Sequence, residues 1–251
     1  IFVIIYFFFY TLGEVKKEMG LFVGLGAGLL QGMTGFGAGI ILMLYLPMLY
    51  TVTGSAAITG AISIVLSSFM VFQYRHFIEF KKVIKPTFLY MIVCTLTIMI
   101  SSRISTSYLK KGLGVFLILL ACYYLFFSKN KQEMKKTVAY FCIILSAICD
   151  GFFGIGGPLM VVYFMSKTKS QEEYLGCLQM FFLINCIYNT LLRIYRGILV
   201  VDYLPMILLG AIGIILGSLI AKRLLKYIDE DKMRKFIYIV IGISGLINVI
   251  I

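Results

Sequence analysis

The sequence predicts an all-α, polytopic membrane protein made of two inverted-repeat helical halves, each a glycine-broken re-entrant hairpin followed by three transmembrane helices. Three observations carry this expectation. First, 61% of the 251 residues are hydrophobic, only 14% are charged, and the mean hydropathy is +1.00, more apolar surface than a soluble domain can hide. Second, several apolar runs reach roughly 18 residues, the length that crosses about 30 Å of hydrocarbon. Third, one glycine-rich stretch occurs twice. Gln31-Gly32-Met33-Thr34-Gly35-Phe36-Gly37-Ala38-Gly39 is followed 119 positions later by Asp150-Gly151-Phe152-Phe153-Gly154-Ile155-Gly156-Gly157-Pro158. Gly32, Gly35 and Gly37 fall on Gly151, Gly154 and Gly156.

In chain order, residues 1–20 hold a first apolar stretch, Ile1–Leu12, and a charged loop. The stretch reads as a clipped span rather than a signal sequence, because no small-residue cleavage site follows it. The first half, 21–127, opens with the uncharged run Leu21–Tyr50. Spans are predicted at Ser55–Tyr74, Val83–Ile100 and Tyr108–Phe127. A basic linker, 128–136, separates it from the second half, 137–251. That half opens with Val138–Ser166, interrupted only by Asp150, and continues with spans at Tyr174–Leu192, Leu204–Ala221 and Phe236–Ile251. Pro86 and Pro205 match at the same 119-residue offset, so glycines, proline and element lengths all indicate an internal repeat.

The basic residues decide the orientation of the halves. If each long run crossed once, the 23 Lys and Arg would divide almost evenly between the two faces. If each run enters and leaves on one side, the loops after Tyr74, Phe127, Ser166 and Ala221 collect sixteen of them, the bias that cytoplasmic loops carry. Each half then has an odd number of crossings, which makes the repeats inverted. Each run is interrupted near its middle, giving arms of about 14 residues, or about 21 Å at 1.5 Å per residue. Such arms reach the bilayer midplane without crossing, so the two turns are expected to meet there. The alternative is a single long, broken, tilted span.

A net charge of +12 reflects these short loops and no nucleic-acid motif, so no nucleic-acid partner is expected. The six cysteines lie in apolar segments without a CxxC pair and read as small buried hydrophobes. His76 is the sole histidine, and Asp150 is the only deep aspartate. Neither a His-based zinc site nor an intramembrane aspartyl pair can be built, and no P-loop is present. The chain is therefore expected to be no enzyme and to need no cofactor.

A backbone break at membrane depth must be buried in protein or line a wet cavity. The second arms begin near Gly39 and Pro158, and proline suits the first turn of a helix. Their free N–H groups and positive dipole ends suit a small anion. No Arg or Lys is expected deep in an apolar run, so backbone N–H groups are the expected donors. Gly20, Gly24 and Gly28, like Gly213 and Gly217, are spaced for close helix packing. Thr34, Gly35, Gly37, Gly39, Gly154, Gly156 and Gly157 are the candidate substrate contacts at the turns. Gln179, Asn185 and Asn189 are candidate side-chain contacts, the two asparagines sharing one helix face. Asp150 is the coupling candidate: it can carry a proton, or pair with a polar group across the bundle. Arg193 continues the asparagine face and is expected to snorkel at the membrane boundary. The residues suit a carrier, with a passive anion channel and a non-transporting membrane scaffold as alternatives.

The segment Gly28–Gly39 resembles the first glycine motif of the TauE/SafE family of sulfite exporters and sulfonate permeases, and Asp150–Pro158 resembles the second. The resemblance covers residues 21–251. It implies a permease that moves sulfite, sulfonates or other small anions across the plasma membrane of a bacterium, with the anion and the lipid bilayer as its partners.

Overall fold

The computed structural model describes residues 20–101, 103–127 and 135–224. The stretch Ile1–Leu12, most of the linker and the span at Phe236–Ile251 lie outside them. The described chain is helical: α1 Gly20–Thr34, α2 Ala38–Tyr45, α3 Val52–Tyr74, α4 Phe80–Ser101, α5 Thr106–Phe127, α6 Lys136–Phe153, α7 Gly157–Lys167, α8 Gln171–Tyr195 and α9 Leu204–Leu224. Among the described residues, five stretches are long and apolar enough to cross a membrane: Val52–Phe77, Phe80–Ser101, Lys136–Phe153, Gln171–Tyr195 and Val201–Ala221. Large apolar side chains such as Phe72, Phe88, Leu96 and Leu208 stand outward on them, as a lipid-facing surface requires. The protein is a multi-pass helical membrane protein.

Local chemistry sets the helix ends. Thr51 caps α3 by accepting from the Gly54 N–H at 3.1 Å, and Ser170 caps α8 by accepting from Glu173 N–H at 3.2 Å. Each cap satisfies a donor that the first helical turn leaves free. α1 and α6 both end on a glycine in the left-handed region, Gly35 at φ +80° and Gly154 at φ +66°. Their N–H groups close on the carbonyls of Gln31 (2.7 Å) and Asp150 (2.8 Å), the αL termination that glycine allows without a Cβ penalty. The two breaks thus end their first arms alike. They differ one step later, where Gly37 has φ +102° and Gly156 has φ −95°.

Packing reciprocates between the halves. α1 packs along α9 and α6 along α4, while α3 and α8 pack on each other. α3 and α8 are antiparallel, with Gly60 against Thr190 and Gly176 against Tyr74. α1 and α9 run parallel through a seam of small residues: Gly20 faces Met206, Gly24 faces Gly210, Gly28 faces Ile214 and Gly32 faces Ser218. The expectation that this stripe serves close packing therefore holds. The start of α1 lies by Met206, and the Tyr50 ring beyond α2 meets Tyr203 edge-on with centroids 5.0 Å apart. Both lie at the start of α9, so the first broken run turns back on itself.

One expectation needs correction. The arms are unequal: α1 and α6 have 15 and 18 residues, α2 and α7 only 8 and 11. The first arms, about 22 and 27 Å long at 1.5 Å per residue, exceed half of the hydrocarbon thickness. The turns meet side by side, Gly39 lying against the Gly154 carbonyl. Gly35 packs on Leu175, four residues into α8, and Gly154 packs on Ala56, four residues into α3. These facing pairs are themselves 119 residues apart. Each turn reaches to within about one helical turn of the far end of the helix it faces, because that helix supplies the surface on which its glycine fits.

Candidate functional site

Where the hairpins overlap, a small cavity opens between them. It has ≈ 50 Å³ of room for the centres of water-sized molecules; one water needs about 10–15 Å³ on that measure, so the space suits a few waters or one small ion. Its walls come in matched pairs from the two halves: Gln31 and Asp150, Gly37 and Gly156, Gly39 and Pro158, Ser63 and Phe182, Ser67 and Cys186. Each pair is separated by 119 positions, so the cavity lies where the two repeats face one another. The pairing is chemically uneven, with Gln31, Ser63 and Ser67 on one side against Asp150, Phe182 and Cys186 on the other.

The first turn is closed by neutral groups. Gln179 of α8 donates to the Gly35 carbonyl at 2.6 Å and accepts from Gln31 at 3.2 Å. The Gln31 Oε1 in turn accepts from the Ala38 N–H at 3.3 Å. Thr34 donates to the carbonyls of Leu30 and Phe36 at 2.9 and 2.7 Å. These bonds satisfy backbone groups that hydrocarbon could not.

The second turn is closed by charged ones. The Asp150 carboxylate accepts from Asn189 Nδ2 at 2.7 Å and from the Cys94 thiol at 3.7 Å, and the Tyr90 hydroxyl donates to it. Ser146 donates to the Gly156 carbonyl. Arg193 is 3% exposed. Its Nη2 donates to the carbonyls of Asp150 and Gly151 at 3.0 and 3.1 Å. These carbonyls belong to the last turn of α6, the negative end of that helix dipole, where a cation is favoured.

Arg193 is thus not a snorkelling boundary residue: it is buried inside the protein although it stands near the end of its apolar run. It lies one turn from the end of α8, but the C-terminus of α6 covers it. The sequence did place it on the Asn185–Asn189 face; it could not show that another helix ends there.

Of the sequence candidates, Gly37, Gly39, Gly154, Gly156, Gly157, Asn185 and Asp150 line the cavity. Thr34, Gly35, Gln179 and Asn189 stand behind it and hold the turns. Ser63, Ser67, Tyr90, Phe182 and Cys186 line it too and were not singled out; the 119-residue offset could have found the two serines and their partners. Two lining groups lack hydrogen-bond partners among the described residues, Ser67 Oγ and Asn185 Oδ1. Asn185 donates to its own helix at Phe181 O, 2.8 Å away, which leaves its oxygen as the spare group. The N–H groups of Gly39, Gly156 and Gly157 find no acceptor among the described residues. Buried polar groups left this way in a polar cavity call for water or a ligand.

The turns touch closely enough to test. A Cβ on Gly39 would stand 2.9 Å from the Gly154 carbonyl oxygen, which cannot yield unless the second turn moves. Gly39→Ala is expected to cost about 1–3 kcal/mol of stability, the usual cost of overpacking, measured as a lower unfolding temperature in detergent. An unchanged unfolding temperature would show that the turns part freely.

Residues 20–247 match the family model described as Sulfite exporter TauE/SafE. No curated protein and no solved structure matches the chain.

Proposed function

The chain belongs to the sulfite exporter TauE/SafE family, whose members are membrane transporters, and on that premise we propose that it is a secondary permease for a small anion, sulfur-containing or organic, in the plasma membrane of a bacterium. The observation that carries this reading is the cavity bounded by both glycine turns. The N-terminal ends of α2 and α7 border it and bring their unpartnered N–H groups and positive dipole ends to an anion. Ser67 adds a hydroxyl donor, and Asn185 adds an acceptor for a ligand proton. Thr34, Gly35, Gln179 and Asn189 position the two turns. Asp150 carries the coupling proton.

The two halves act as inverted repeats. The return of the first broken run to its own side and the reciprocal packing of α1 with α9 and of α6 with α4 support that arrangement. Alternating access then comes from rocking one half against the other about the shared cavity.

The test is labelled flux of sulfite, methanesulfonate and acetate into proteoliposomes. Saturable uptake that shows counterflow exchange and responds to an imposed pH gradient is the expected result. Unsaturable, conductive flux would mean a passive channel. A folded protein that moves none of the three, while Gly39→Ala leaves its cellular phenotype unchanged, would favour a scaffold.

A further inference from the structure

The electrostatics around Asp150 carry a step beyond this reading, and rest on it. Arg193 is buried and Asp150 is half-buried at the cavity wall, yet they do not form a direct ion pair. The carboxylate is held by Asn189, Cys94 and Tyr90, while the guanidinium is held by main-chain carbonyls. Both bonds use Nη2 alone. Nε and Nη1 meet no acceptor among the described residues, so the guanidinium keeps unused donors. The groups that face Asp150 are Tyr90 and Cys94 on α4, Cys186, Asn189 and Arg193 on α8, and Cys149 on its own helix. Among the described residues that face it, Arg193 is the only one with a fixed charge.

Taking an ion out of water costs several kcal/mol even after relaxation. A buried site therefore tolerates charge when it sums to zero. With the cavity empty, Asp150 and Arg193 sum to zero. A monoanion added to the adjoining cavity would leave one uncompensated negative charge. A proton on Asp150 removes that excess and frees Arg193 to balance the anion. Asn185, Asn189 and Arg193, each four residues apart on α8, form the polar column that links the cavity wall to the guanidinium.

We infer that Arg193 is the shared counter-charge of the transport cycle, balancing the Asp150 carboxylate when the site is empty and the bound monoanion when Asp150 is protonated, so that one proton accompanies each monoanion. The proton comes from water on the side where the anion binds and leaves to water on the other side; no covalent bond to the substrate forms or breaks. Arg193 acts as a positioning and charge-balancing residue.

The experiment counts protons per anion in proteoliposomes of the full chain, with a trapped pH dye, labelled methanesulfonate and sulfite, and the membrane potential clamped by valinomycin and potassium. Methanesulfonate does not itself titrate, so wild type is expected to move it with one proton, without net charge. A one-unit pH gradient then drives about tenfold accumulation, the equivalent of 1.36 kcal/mol. Asp150→Asn is expected to lower the proton count by one for either anion and to make the flux sensitive to potential. Arg193→Gln is expected to lower anion exchange at least tenfold, and Arg193→Lys to restore the proton count at a reduced rate.

Wild-type flux whose proton count is unchanged in Asp150→Asn overturns the inference and leaves the transporter reading intact. Arg193→Gln with wild-type exchange and proton count does the same. No flux of any tested anion by folded wild type overturns the transporter reading, and this inference with it.

Discussion

Arg193→Met is expected to lower stability by about 3–5 kcal/mol, the scale for removing one of two opposite charges set close together inside a protein. Two losses combine. The Gly151 carbonyl loses the donor that satisfies it while the Asp150 carbonyl keeps only the Gly154 N–H, and the half-buried Asp150 carboxylate loses the nearby cation. Methionine is chosen because it fills similar volume and removes only the charge and the donors. The measurement is thermal unfolding of the purified protein in detergent, read by a buried-thiol probe, for which Cys94 and Cys149 are suited. In the double variant Asp150→Asn/Arg193→Met the uncompensated charge is gone, and the remaining cost should fall to about 1–3 kcal/mol for the orphaned polar groups. The two sites are in contact, so the cycle should be non-additive. Additive losses would mean that the two charges do not sense one another.

Gly28→Val is expected to prevent stable assembly of the bundle, at a cost above about 3 kcal/mol. Its Cβ would fall on the backbone of Ile214, which no rotamer change can relieve. The seam is reciprocal: Gly213 and Gly217 of α9 face the backbone of α1 at Leu21 and Leu25. A side chain at either side therefore separates the helices along their whole contact and also displaces the first turn. The readout is the yield of monodisperse protein and its unfolding temperature. Gly60→Ala is the control, since a Cβ there meets only Thr190 Oγ1 at 3.4 Å. Within α3 that change is expected to be neutral or to stabilise by up to about 1 kcal/mol, from helix propensity. Equal losses from both variants would show that the seam has no special role.

The helices were largely legible in the sequence. Val83–Ile100 became Phe80–Ser101 and Leu204–Ala221 became Leu204–Leu224, because hydropathy sets a span and flanking polar residues set its ends. The breaks were legible for a local reason: Gly35 and Gly154 occupy backbone conformations that need no knowledge of the rest of the chain. Asp150 was legible because a lone carboxylate in an apolar run stands out.

Several features were not legible. The equal 14-residue arms failed because hydropathy does not mark where a helix ends inside an apolar run. Ser63 and Ser67 carry no signal of their own as small residues inside a span; they matter only because α3 faces α8 across the cavity.

The sequence alone therefore determined that this is a multi-pass helical membrane protein with two glycine breaks, since composition and backbone conformation act locally. Only the tertiary structure decided how deep each turn penetrates, which side chains enclose the cavity, and that Arg193 is buried. Each of these depends on which helix lies opposite. The same arginine one turn from a helix end is solvated when nothing covers it and becomes a buried counter-charge when α6 ends against it.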